Sequence, residues 1–88
     1  MGMAEFLVEL YVSRRDLDSV RRGAARARTA AEDLSLEGRL VRYIRSVFVP
    51  EDETCFYLYE AASAADVREA AQRAALAFDR VAEAIVDS

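Results

Sequence analysis

Histidine is absent from this chain, and so are lysine, tryptophan and asparagine. Without imidazole the usual general base near neutral pH is missing, and with it every His-dependent triad, HExxH zinc site and Cys/His zinc finger. A single cysteine excludes an internal disulfide and fits a reducing compartment. No apolar run approaches the roughly 18 residues of a membrane span, and no basic-then-apolar leader pattern opens the chain, so a cytoplasmic protein without a membrane partner is expected. The net charge of −4 argues against nucleic acid as the default partner. What is abundant is alanine, and all 12 basic residues are arginine, the composition of a GC-rich bacterial genome. Eighty-eight residues with 53% hydrophobic and 32% charged content describe one small folded domain. Such a chain buries only about two-thirds of its unfolded surface and is marginal as a lone monomer.

From Glu5 the residues alternate, with Phe6, Val8, Leu10 and Val12 on one side and Glu5, Leu7, Glu9 and Tyr11 on the other. This is a strand. The residues before it, 1–4, are expected to be poorly ordered. Asp16 is placed to cap a helix whose apolar stripe runs Leu17, Val20, Ala24, Ala27, Ala31, Leu34. Gly23 within it costs about 1 kcal/mol relative to alanine, which suggests close packing on a sheet. Glu37-Gly38 ends the helix in a turn. Leu40 to Val49 reads as a second strand with imperfect alternation, reconciled by a bulge or by burial on both faces. Pro50 stops it, Glu51-Asp52-Glu53 make a solvated charged loop, and Thr54 to Glu60 form a third strand. Ser63 with Asp66 resembles a capping box ahead of a helix through Val67, Ala70, Ala71, Ala74 and Ala75. The Ala-rich stretch after it either prolongs that helix, as propensity favours, or forms a last strand at Arg80 to Val86 that completes a split-βαβ plan.

The stretch Phe48-Val-Pro-Glu-Asp-Glu-Thr-Cys-Phe-Tyr-Leu-Tyr-Glu60, followed by Val67-Arg-Glu-Ala-Ala71 and Phe78-Asp-Arg-Val81, resembles a family of small actinobacterial proteins catalogued as a domain of unknown function. Glu5 to Tyr11 is similar to it as well. That family includes a nickel-binding, ferredoxin-like homodimeric protein. The resemblance implies an α+β ferredoxin-like βαββαβ sandwich over residues 1–88, with a four-stranded antiparallel sheet, two helices on one face, a final strand and a homodimer. It also implies nickel as a cofactor, although no histidine is present to hold it. The family often has Gly and Pro flanking the Leu before the last strand, where this chain has Ala75 and Ala77 around Leu76.

In that strand order the first and third strands are central neighbours. The helix-packed face is expected to claim Phe6, Val8, Leu10, Phe56 and Leu58. The opposite parity then carries Glu9, Tyr11, Cys55, Tyr57 and Tyr59 away from the helices. Pairing two such faces buries the rings and encloses Glu9 opposite Arg45. Glu9, Tyr11, Arg45, Tyr57 and Tyr59 are therefore the candidate ligand-binding residues, with Glu9 and Cys55 as weak metal ligands. Cys55 is otherwise a packed small hydrophobe. The function expected is a small binding protein that holds a metal ion or small ligand between paired sheets. The alternatives are a cofactor-independent enzyme of the dimeric cyclase or monooxygenase kind and a purely structural assembly module.

Overall fold

The computed structural model describes residues 2–85 and 87. Its elements run β1 (Ala4–Tyr11), α1 (Leu17–Leu36), β2 (Val41–Val49), β3 (Thr54–Ala61), α2 (Ala64–Arg73) and β4 (Arg80–Ala84), with a 3₁₀ turn at Pro50–Asp52. The four strands form one antiparallel sheet in the order β2-β3-β1-β4, with both helices on one side, which is the ferredoxin-like α+β arrangement. Among the described residues, no helix is long and apolar enough to cross a membrane. The sheet takes in Ala4, paired with Ala61, so β1 starts one residue earlier than the alternation suggests. The last strand covers Arg80–Ala84, and Val86, expected to end it, lies outside the described residues.

Local chemistry sets the ends of the helices. The Asp16 carboxylate accepts from the Ser19 amide at 3.1 Å, and the Ser63 hydroxyl accepts from the Asp66 amide at 3.3 Å. Gly38, at φ +92°, reverses the chain after α1, and the Arg39 amide reaches back to the Leu34 carbonyl. Leu17 is exposed at the start of α1, so the buried stripe begins at Val20 and runs through Gly23, Ala27, Ala30, Ala31 and Leu34. Its small residues let α1 settle close to the sheet.

In β2 the imperfect alternation is a bulge between Tyr43 and Arg45. Before it Val41 and Tyr43 stand opposite Ala61 and Tyr59; after it Ser46 and Phe48 stand opposite Tyr57 and Cys55. One extra residue therefore shifts the strand's parity and keeps apolar side chains on the helix side at both ends. The α2 helix stops at Arg73 despite the alanines beyond it. Ala75 turns left-handed at φ +56°, Leu76 is buried with its amide on the Ala71 carbonyl, and Arg26 Nε donates to the Ala74 carbonyl at 2.7 Å. These contacts close the helix end and release the chain toward β4.

Candidate functional site

Directly opposed residues on antiparallel strands project to the same face. The register sets Phe6 against Tyr59, Val8 against Tyr57 and Leu10 against Cys55. Cys55, Tyr57 and Tyr59 therefore lie beneath the helices, where all three are buried. Phe56 and Leu58, expected there, instead share the helix-free face with Leu7 and Glu9. Both parities of β3 are apolar, so alternation identifies its two faces without saying which is the core. The tyrosines can take the inner face because α1 makes room for them and satisfies one of them.

That one is Tyr57, whose hydroxyl donates to the Val20 carbonyl at 2.9 Å. Tyr43 packs edge-on to Tyr59, with ring centroids 5.7 Å apart, and tilted against Tyr57 at 6.1 Å. The Arg28 guanidinium covers the Tyr43 ring at 5.3 Å, a cation–π contact. The buried Tyr59 hydroxyl has no partner among the described residues. Burial pushes the Tyr57 and Tyr59 phenols and the Cys55 thiol upward, holding all three protonated near neutral pH. They are packing groups here rather than nucleophiles or bases.

The helix-free face has a different character. Leu7, Phe56 and Leu58 are half-buried, and Val47 is 48% exposed. An ion pair stands on either side of this apolar centre. Arg80 Nε donates to Glu9 Oε1 at 2.9 Å across β4 and β1, and Arg42 donates to Glu60 Oε1 at 3.1 Å across β2 and β3. Within the chain the partner of Glu9 is thus Arg80. Sequence reasoning missed Arg80; the pairing depends on the β1–β4 register, which sets Glu9 opposite Arg80 across 71 residues of chain. Arg45 stands opposite Leu58, is exposed, and pairs with no carboxylate among the described residues.

Tyr11 is at the end of this face, where its hydroxyl reaches Glu53 Oε2 at 3.4 Å. The same carboxylate oxygen accepts from the Arg14 amide at 3.0 Å. Glu53 is thereby a tether between two loops, whereas Glu51 and Asp52 remain exposed as expected. Of the residues singled out, the fold brings Glu9, Tyr11 and Arg45 to the open face and sends Tyr57, Tyr59 and Cys55 to the core. Glu9 and Cys55 consequently lie on opposite sides of the sheet and cannot share one ion within a chain. Among the described residues, no three His, Cys, Asp or Glu side chains form a group able to hold a metal.

The profile of the family described as "Nickel responsive protein SCO4226-like" matches residues 11–84. Among solved structures, the crystal structure of SCO4226 from Streptomyces coelicolor A3(2) is similar with a TM-score of 0.78, covering 97% of this chain and 100% of that one. Sequence identity to it is 19%, so this likeness speaks to the shared fold. No curated protein matches the chain.

Proposed function

The chain belongs to the nickel-responsive SCO4226-like family, and from that premise we propose that it is a small binding protein working as a homodimer. Two copies face each other through the helix-free side of the sheet and hold a small ligand between them. The observation that carries this reading is the open face itself, with Leu7, Val47, Phe56 and Leu58 at its centre and an Arg–Glu pair on either side. An apolar strip of this kind is costly to leave in water, and a second sheet packed about 10 Å away removes it. Arg45 supplies the polar anchor. Enclosed between sheets, its unpaired charge requires an anionic group from a ligand or from the facing copy. Tyr11 lies at the rim, where it can close the space or contact the ligand.

A nickel ion does not fit the residues available in one chain. There is no imidazole, and the lone thiol is buried beneath the helices with its pKa raised. The carboxylates of Glu9 and Glu60 already hold arginines. The chain thus lacks the imidazole donors that suit divalent nickel, and its nearby carboxylates are already paired. The ligand supported is therefore an organic anion. A cytoplasmic setting agrees with the free thiol of Cys55.

Native mass spectrometry of the untagged protein isolated from its own host tests the proposal. The expected result is a dimer carrying a small extra mass that Arg45→Ala releases. A bare monomer, or a dimer whose bound mass ignores Arg45→Ala, overturns it. Calorimetry with Ni²⁺ on the same untagged protein is expected to show no tight binding; strong, selective uptake would overturn the organic-anion assignment. The tag must be absent because polyhistidine supplies the missing ligands.

A further inference from the structure

On the helix side of the sheet there is a small space at one end of β1. A cavity of about 180 Å³ opens where the end of β1 meets the first turns of α1 and the α2–β4 connection, with Ser19, Arg26, Tyr57, Leu76 and Ala77 in its walls. It is comparable in size to a cavity that accepts benzene, at about 150 Å³. No carboxylate lines it, so Arg26 leaves the site with one uncompensated positive charge.

The groups around this space are already oriented. Arg26 is held by its Nε, which donates to the Ala74 carbonyl at 2.7 Å at the end of α2. Its two terminal nitrogens pair with no carboxylate among the described residues, in contrast to Arg39, Arg42, Arg73 and Arg80. Tyr57 gives its proton to the Val20 carbonyl, which leaves its oxygen as an acceptor only. The amide of Ser19 is taken by the Asp16 cap, while its hydroxyl is uncommitted among the described residues. Leu76 and Ala77 contribute an apolar wall.

We propose that this cavity binds a small carboxylate, with the terminal nitrogens of Arg26 donating to its two oxygens, the Ser19 hydroxyl beside them and a short apolar body against Leu76 and Ala77. One guanidinium matches one negative charge and presents a planar fork suited to a carboxylate. A phosphate dianion would bring two charges to a site holding one. The cavity lies on the helix side of the sheet and shares Tyr11, at the end of β1, with the open face, so Arg45→Ala is the variant that separates this site from the proposed inter-sheet ligand.

Amide and guanidinium NMR titrations with propionate and with inorganic phosphate test it. Propionate is expected to produce saturating shifts at Ser19, Leu76, Ala77 and the Arg26 Nε–H, with phosphate weaker. Ala77→Leu fills the cavity from an exposed loop position, and Arg26→Gln removes the charge. Arg26→Gln is expected to weaken propionate by about tenfold or more, the worth of one charge-assisted pair, and Ala77→Leu to weaken it by at least as much by taking up the space, while both spectra stay folded. Because Arg26→Gln also removes the contact to Ala74, Ala77→Leu keeps the test open if that variant unfolds. Retained binding in Arg45→Ala supports the assignment to this cavity. No saturable shift, unchanged affinity in Ala77→Leu, or shifts confined to Leu7, Arg45 and Phe56 overturns it. Phosphate binding in preference to propionate overturns the carboxylate assignment.

Discussion

The hydroxyl of Tyr57 occupies the space that a Cβ on residue 23 would need, and it is fixed there by its hydrogen bond to Val20. Gly23 is thus the gap in α1 into which the Tyr57 side chain of β3 fits. Gly23→Ala, which helix propensity alone would make favourable, is expected to destabilise the fold by about 1–3 kcal/mol through overpacking. The loss should shrink in a Tyr57→Phe background, where the ring carbon at 3.2 Å and Leu76 Cδ2 at 3.3 Å remain near the added methyl but the hydroxyl is gone. Urea unfolding of the four proteins in this double-mutant cycle measures the coupling; equal losses in both backgrounds would refute it.

Ala75 takes a left-handed backbone at φ +56°, where a Cβ is penalised by about 1–2 kcal/mol. Glycine removes that strain at some cost in unfolded-chain entropy. Ala75→Gly is therefore expected to raise stability by about 0.5–1 kcal/mol, read as a higher urea midpoint with an unchanged slope. A lower midpoint would mean that the methyl of Ala75 contributes packing that outweighs the strain.

Phe56 is the residue to change for testing the paired sheets. Phe56→Glu puts a charge at the centre of the open face without touching the core, and light scattering across a concentration series should show the dimer mass falling to the monomer mass. Tyr57→Glu cannot serve this purpose, since Tyr57 is buried under α1 and its replacement should unfold the chain. A wild-type protein that remains monomeric at every concentration would remove this face as an interface.

Tyr57 and Tyr59 have phenols whose folded pKa values are raised above the unfolded value by burial. Below pH about 10 both states hold these protons and the stability is unaffected. Above it the unfolded chain ionises first and binds fewer protons, so stability falls by about 1.4 kcal/mol per pH unit for each tyrosine. Phenolate absorbance from these two rings should appear together with loss of helical circular dichroism. Tyr57→Phe should flatten the alkaline slope, and an unchanged slope would count against the buried phenol as its source. Cys55, buried in the same layer, should react with thiol reagents only as the protein unfolds.

Local pattern was enough to identify most of the elements. Alternation in Glu5–Tyr11, the caps at Asp16 and Ser63, the turn at Gly38 and the parity slip in β2 are short-range features, and each reappears in the structure as a strand, two helix starts, a helix end and a bulge. The sequence alone also determined that imidazole chemistry is absent. The inner face of β3 was a tertiary decision. Both rows are apolar, Phe56 and Leu58 the more so, and it is the register with β1, together with the space over Gly23, that puts Cys55, Tyr57 and Tyr59 inside. The same holds after α2, where alanine propensity favours more helix. A left-handed Ala75, a buried Leu76 and the Arg26 bond to Ala74 stop it, and pairing with β1 makes Arg80–Ala84 a strand. The candidate site divides on the same ground. A residue's place along its strand is local information, but its face and its partner, Arg80 for Glu9 and Val20 for Tyr57, arise from contacts between distant segments that only the folded chain brings together.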